Sequence, residues 1–137
     1  MKIMAIDFGD ARTGVAFSDI SGIIAGETLV VKTRGLEKTA AELAELANNR
    51  QAGEIILGLP KNMDGSEGVR AEKSRALKAE LEKLTDIPVL LRDERRTTVD
   101  AHNILSANNV RGQKRKNTVD AVAATLILEG YLNEKSR

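Results

Sequence analysis

The chain of 137 residues contains no cysteine and a single histidine, His102. Without cysteine there is no disulfide framework, no thiolate nucleophile and no thiolate zinc site. One histidine excludes a histidine-based metal cluster. Any metal bound by this chain is therefore expected to sit on oxygen ligands, which favours a hard cation such as Mg²⁺ or Mn²⁺.

Aromatic residues and long apolar runs are also scarce. The three aromatic residues, Phe8, Phe17 and Tyr131, argue against a protein that binds single strands by stacking bases on aromatic platforms. No apolar run approaches the ~18 residues that span a membrane, and the first residues lack a signal-peptide pattern. We expect one cytoplasmic domain over residues 1–137, without a membrane partner.

Positive and negative charges nearly cancel over the chain, but they are unevenly distributed. Lys and Arg number 21 against 20 Asp and Glu, a formal net charge of +1. The window from Arg92 to Lys116 holds seven basic and three acidic residues, a net charge of +4, which leaves −3 for the rest. Such a basic segment is typical of binding to a phosphate backbone, although a solubilising surface loop has the same composition.

Apolar patterning predicts an α/β fold. Five short apolar runs predict strands at 3–6, 15–18, 28–31, 54–59 and 88–91. Helical spacing predicts helices at 36–49, 69–84 and 98–107 and a last helix capped by Thr118, after a basic loop at 111–117. This order predicts a mixed five-stranded sheet flanked by helices, in which the first three strands form an antiparallel meander and the last two are parallel.

Three acidic residues fall where a sheet of this kind binds ligands. Asp7 directly follows the first strand, Glu94 follows the last one, and Asp120 lies in the first turn of the last helix. A cluster of carboxylates is unfavourable by itself, and a divalent cation relieves it. Each acid also has a structural explanation: Asp7 as a turn cap, Glu94 as part of a solvated charge run, and Asp120 as a residue favoured by the helix dipole.

The segment 58–68 is rich in glycine and precedes a predicted helix. Its backbone N–H groups and the helix N-terminus are suited to phosphate binding. Alternatively, it is a structural turn in which Ser66 caps the helix.

Four motifs taken together resemble the YqgF family, also called RuvX. They are DFGDARTGVAFSD at 7–19, GLPKNMDGSEG at 58–68, DERRTT at 93–98 and VDAVAA at 119–124. The resemblance implies an RNase H-like fold and a bacterial, metal-dependent nuclease. It further implies a role in 5′-end maturation of the 16S rRNA precursor, in association with the ribosome, or else resolution of Holliday junctions in branched DNA.

The resemblance also assigns roles to residues. Asp7, Glu94 and Asp120 correspond to the family's catalytic, metal-binding acids, with Mg²⁺ or Mn²⁺ as the cofactor. Arg12, Arg95 and Lys116 correspond to phosphate contacts. Together with the basic candidates of the preceding segments, the predicted nucleic-acid contacts are Arg12, Lys61, Arg95, Arg96, Arg111, Lys114, Arg115 and Lys116.

Two other functions are compatible with the same sequence. The first is a non-catalytic nucleic-acid-binding module that keeps the fold and the basic surface. The second is an ATP site like that of sugar kinases and actin, since Asp7, Gly9 and Gly14 have the spacing of their first phosphate loop. Those proteins place ATP between two such domains, whereas 137 residues supply one.

Overall fold

A computed structural model of the chain describes residues 1–94 and 112–135, with the side chains of the last helix from residue 119 onward. The strands in these ranges are β1 (Lys2–Phe8), β2 (Arg12–Ser18), β3 (Ala25–Lys32), β4 (Ala52–Leu59) and β5 (Val89–Asp93). The helices are α1 (Leu36–Asn49), α2 (Val69–Leu84) and α3 (Gly112–Lys135).

The five strands form one mixed sheet in the order β3-β2-β1-β4-β5. β1 pairs with β2, and β2 with β3, in antiparallel fashion. β1 pairs with β4, and β4 with β5, in parallel. The predicted meander and the two parallel strands are confirmed, and the carboxyl ends of β1, β4 and β5 lie at one edge of the sheet.

Side chains alternate between the two faces of the central strand β1. Met4 and Ile6 pack in the larger core cluster with α1 and α2. Ile3 and Ala5 pack on the opposite face against α3. Because both faces are covered, β1 is a nearly continuous apolar run, as parallel strands buried on both sides require.

The predicted helices at 36–49 and 69–84 are confirmed as α1 and α2. Their buried residues recur at helical spacing, as in the pair Leu43 and Ala47 of α1 and the pair Leu77 and Leu81 of α2. Burial of one apolar stripe against the sheet therefore explains why both helices form here.

The predicted boundary of the last helix is wrong. α3 begins at Gly112, so residues 112–117 are helical rather than a loop, and Thr118 lies inside the helix instead of capping it. The segment after Gly112 is Gln-Lys-Arg-Lys, and these residue types have good helix propensity. The predicted helix at 98–107 lies outside the described residues. Within the described ranges, no helix is long and apolar enough to cross a membrane.

Candidate active site

Asp7 lies inside β1, one residue before its end, on the face of the sheet that α3 covers. Side chains alternate along a strand, so Asp7 lies on the same face as Ile3 and Ala5, which pack against α3. Across the antiparallel ladder Asp7 is paired with Gly14 of β2. The sequence prediction placed Asp7 just after the strand, and the structure shows that the ladder continues to Phe8.

Asp120 reaches the same place from α3. A Cβ atom on Gly14 would collide with the backbone carbonyl oxygen of Asp120, so the missing side chain allows α3 to pack directly on β2 beside Asp7. Since α3 begins at Gly112, Asp120 is in its third turn. The helix dipole acts mainly within the first turn and does not explain an acid at this position.

Glu94 lies on the other side of Asp7, directly after β5. Its backbone N–H donates to the Leu59 carbonyl oxygen at 3.1 Å, which continues the parallel pairing by one residue. A Cβ atom placed on Gly58 would lie 3.4 Å from Cγ of Glu94 and 2.6 Å from Cδ1 of Ile127 in α3. Glu94 therefore extends across Gly58 on the α3 face.

The three acids thus lie in a row over neighbouring strands. In the parallel pairing of β1 with β4, Ile6 lies beside Leu57. The next residue of each strand follows the same register, so Gly58 lies beside Asp7. Asp7 is flanked by Gly14 on one side and by Gly58 on the other, with Asp120 over the first glycine and Glu94 over the second. The structure therefore brings together the three acids that the sequence analysis singled out.

Arginines pair with the two outer acids. Arg12 Nε contacts Asp120 Oδ2 at 2.8 Å, with side chains 28% and 18% exposed. Arg92 Nε contacts Glu94 Oε1 at 2.6 Å, and Arg92 Nη1 contacts Glu134 Oε1 at 2.6 Å. The positive charges of the two guanidinium groups offset part of the repulsion among the carboxylates.

Electrostatics single out the central acid. The pKa of Asp7 is raised from 3.8 to about 6, and burial is the main cause. The charge of Arg70 opposes the rise, whereas the negative charges of Asp120 and Glu94 add to it. Perturbed carboxylates of this kind concentrate at functional sites.

Three carboxylates are the donor set that a hard cation such as Mg²⁺ prefers, so the chemistry of the site fits the predicted cofactor. In the part of the chain that the structure describes, no three acidic or histidine side chains stand in a ready ligand shell. The outer acids are instead engaged by Arg12 and Arg92. Ligation of a cation by all three acids would therefore require these ion pairs to rearrange.

The predicted basic contacts are only partly within the described residues. Arg12 is at the acid row, and Lys61 lies just after β4, at the same edge of the sheet. Arg95, Arg96 and Arg111 lie outside the described residues. For Lys114, Arg115 and Lys116 the structure describes the backbone, which is in α3, but not the side chains.

The glycine-rich loop is a structural turn, as one of the two interpretations has it, but Ser66 does not cap the helix. The backbone N–H of Gly65 donates to the Asn62 carbonyl oxygen, and that of Ser66 to the Asp64 carboxylate, so these amides are used within the loop and not held for a phosphate. The N-cap residue of α2 is Gly68 rather than Ser66. The Asn62 N–H, which donates to the Ser66 carbonyl oxygen at 2.8 Å, closes a self-contained turn.

Two arginines of the site were missed as site residues. Arg92 is two residues before Glu94, so alternation along the strand places both side chains on one face, and this spacing could have identified Arg92 as a partner of Glu94. Arg70 stands in the first turn of α2, where the helix dipole disfavours a cation. This unfavourable position could have identified Arg70 as a candidate functional residue.

With this geometry established, comparison with known proteins assigns the family. The sequence pattern described as "RuvX: Holliday junction resolvase" matches residues 1–134. The chain belongs to the RuvX family. A relative from Halothermothrix orenii, named "Putative pre-16S rRNA nuclease", is 44% identical over 137 residues, covering 100% of this chain and 98% of the relative. Others with the same name are 37–42% identical.

Solved structures agree on the fold. The RuvC protein of T. thermophilus, solved in complex with a Holliday junction substrate, matches with a TM-score of 0.59 and 14% identity, over 99% of this chain and 96% of that one. This likeness confirms the predicted RNase H-like fold of the chain. A ROK hexokinase from Thermus thermophilus matches with a TM-score of 0.51 and 25% identity, over 75% of this chain and 38% of that one. The kinase resemblance noted in the sequence is therefore confined to a minor part of the kinase chain.

Proposed function

We propose that this RuvX chain is a metal-dependent nuclease that hydrolyses phosphodiester bonds in the 5′-end maturation of the 16S rRNA precursor. The observation that carries the proposal is the row of Asp120, Asp7 and Glu94 across β2, β1 and β4 at the carboxyl edge of the sheet. The name shared by the relatives supports the RNA substrate. A cytoplasmic location and contact with the ribosome are parts of this proposal.

Asp7, Glu94 and Asp120 would hold Mg²⁺ or Mn²⁺ through carboxylate oxygens. The chemistry that such a cation supplies when bound is a lower pKa for the attacking water and neutralisation of charge on the phosphate. Asp7 is suited to the central place because its backbone is fixed in the middle strand and its side chain is partly buried. A fixed, partly dry carboxylate needs little reorganisation to bind a cation.

The arginines of the site have separate tasks in this proposal. Arg12 lies at the acid row with a side chain 28% exposed, so it can contact a substrate phosphate as well as Asp120. Arg92 is held between Glu94 and Glu134 and acts as a positioning residue for Glu94. With few aromatic side chains available for stacking, substrate selection is expected to depend on shape and the 2′-OH.

Holliday junction resolution is the second candidate function. It is favoured by the description of the family pattern that matches 134 residues of this chain. The same acid row would serve it, because hydrolysis of a DNA phosphodiester needs the same metal chemistry. The two candidates differ in the nucleic acid that is bound.

A cleavage assay with two substrates tests both candidates. The purified protein is incubated with an RNA that carries the immature 5′ end of 16S rRNA, or with a four-way DNA junction, in Mn²⁺, Mg²⁺ or EDTA. We expect the RNA to be cut only with metal. Asp7→Asn should abolish cleavage and retain RNA binding. The control is Asp86→Asn, which removes an exposed acid that precedes β5, at the opposite end of that strand from Glu94.

Each other result points to a different function. Full activity of Asp7→Asn would refute the mechanism. Cleavage of the junction without cleavage of the RNA would favour the resolvase. Salt-dependent binding with no product in any metal would favour the non-catalytic module. Tight ATP binding in calorimetry would favour the kinase-like site.

A further inference from the structure

Arg70 occupies an unusual position at the start of α2. It is exposed and lies in the first helical turn, after the N-cap residue Gly68. A cation there is repelled by the positive end of the helix dipole. Lys73, three residues further on, shares the same face of the helix and contacts Asp10 Oδ1 at 2.8 Å. This contact shows that this face of α2 lies beside the turn between β1 and β2.

Arg70 acts electrostatically on that turn and on the acid row. Its charge lowers the pKa of Asp7, where it opposes the effect of burial, and it contributes to the lowered pKa of Asp10, whose main cause is the hydrogen bond from Lys73. Two acids on opposite sides of Gly9 are thus influenced by one guanidinium group. The position of Arg70 follows from geometry: α2 begins after the carboxyl end of β4, and Lys73 contacts Asp10, two residues after β1. Arg70 lies about one turn nearer the start of α2 than Lys73 and therefore stands at the carboxyl edge of the sheet.

Among the described residues, Arg12 and Arg92 near the acids are engaged in ion pairs, whereas Arg70 is not. Arg12 pairs with Asp120, and Arg92 pairs with Glu94. Over residues 1–94 and the side chains from 119 on, Arg70 forms no ion pair or side-chain hydrogen bond. Its donors are available for a ligand, and their planar arrangement matches the oxygens of a phosphate.

We infer that Arg70 binds a backbone phosphate of the substrate strand on the α2 side of the acid row. The inference rests on the proposed function for its ligand, a phosphodiester strand. Arg12 approaches the acids on the α3 face of the sheet, while Arg70 approaches from the α2 face. The strand therefore crosses the carboxyl edge between two guanidinium groups, with Asp7 beneath it.

A different role for Arg70 would be to favour the ionised form of Asp7 without touching the substrate. The two roles are separated in an Asp7→Asn parent, which has no carboxylate at this position and is expected to bind RNA without cutting it. In that parent, Arg70→Gln changes RNA binding only if Arg70 contacts the RNA.

The experiment measures binding of a fluorescent single-stranded RNA oligonucleotide to the Asp7→Asn parent in EDTA, by anisotropy, over a series of KCl concentrations. Arg70→Gln should weaken binding several-fold. It should also make the slope of log K against log salt shallower by about 0.7, the value for one phosphate contact to a single strand. Arg70→Lys should keep the slope, because it keeps the charge.

The matched control is Lys83→Gln, which removes one positive charge from the other end of α2. Lys83 is 70% exposed and pairs with Glu80. It lies thirteen positions after Arg70, which is about 20 Å along a helix. Lys83→Gln should leave the affinity and the slope unchanged. Circular dichroism of each variant establishes that it is folded.

The outcomes distinguish this inference from the proposed function. Equal affinities and slopes for Arg70→Gln and the parent would overturn the inference, even if the wild-type protein cleaves RNA. A reduced slope for Arg70→Gln supports it, even if the wild-type protein fails to cleave and the nuclease proposal falls. No RNA binding by the parent at the lowest salt would overturn the inference as well.

Discussion

Replacing Asp7 by Asn should make the metal-free protein more stable at neutral pH. The folded-state pKa of Asp7 is raised from 3.8 to about 6, chiefly by burial. Well below pH 3.8 the group is protonated in both the folded and the unfolded states, and it has no effect on their balance. As the pH rises from 4 to 6 the unfolded chain ionises first, so stability is lost. Asn cannot ionise and avoids this loss.

The raised pKa corresponds to about 3 kcal/mol between the two protonation states. Because the side chain is partly exposed, solvent screening reduces the expected gain to about 2 kcal/mol at pH 7.5. With a urea dependence of about 2 kcal/mol per M, the unfolding midpoint should rise by about 1 M.

The assay is urea unfolding followed by circular dichroism in EDTA, at pH values from 4 to 8. The difference between Asp7→Asn and wild type should grow with pH and level off above pH 6. Asp10→Asn is the control, for which we expect the opposite change in stability. The hydrogen bond from Lys73 lowers the pKa of Asp10, so removing the Asp10 carboxylate should slightly destabilise the protein at pH 7. A difference for Asp7→Asn that is absent at pH 7.5, or independent of pH, would refute the reasoning.

Three further predictions concern the same architecture. Gly14→Ala should destabilise the protein by about 1–3 kcal/mol in urea unfolding, because its Cβ would collide with the Asp120 backbone. Gly26→Ala should cost much less, because a Cβ there would meet only the Phe17 carbonyl oxygen, at an ordinary 3.5 Å. Tyr131 is the sole tyrosine, and its pKa is raised to about 12 by burial and a hydrogen bond to Glu54. The phenolate absorbance should therefore appear near pH 12 in the native protein and near pH 10 in urea. The free energy of unfolding should fall between these two pH values, because the unfolded chain ionises first. Saturating Mg²⁺ should raise the thermal midpoint of the wild-type protein and leave that of Asp7→Asn unchanged; equal shifts would place the cation elsewhere.

The sheet and two helices could be predicted from the sequence because their signals are local. Apolar runs bounded by turns predicted the strands. Apolar residues at helical spacing predicted α1 and α2 with the bounds that the structure has, 36–49 and 69–84. Strand ends were less well predicted, since β1 and β5 extend through polar residues that only pairing with a neighbour holds in a ladder. Likewise, no apolar pattern marks the first two turns of α3, which therefore looked like a loop.

The acid row was predicted in its members but not in its geometry. Asp7 and Glu94 are recognisable at strand ends, whereas the space that lets Asp120 and Glu94 approach comes from Gly14 and Gly58. Those glycines face α3 only because of the register of three strands, which no local pattern specifies. The pairing of Arg92 with Glu134 depends equally on the packing of α3 against the sheet.

The measurement that tests the central claim most directly is anomalous diffraction from crystals of the wild-type protein soaked in Mn²⁺. The account predicts a manganese peak about 2.1 Å from a carboxylate oxygen of Asp7, with Glu94 or Asp120 among its other ligands. A protein that cleaves RNA in Mn²⁺ while its crystals show no manganese at Asp7 would contradict it.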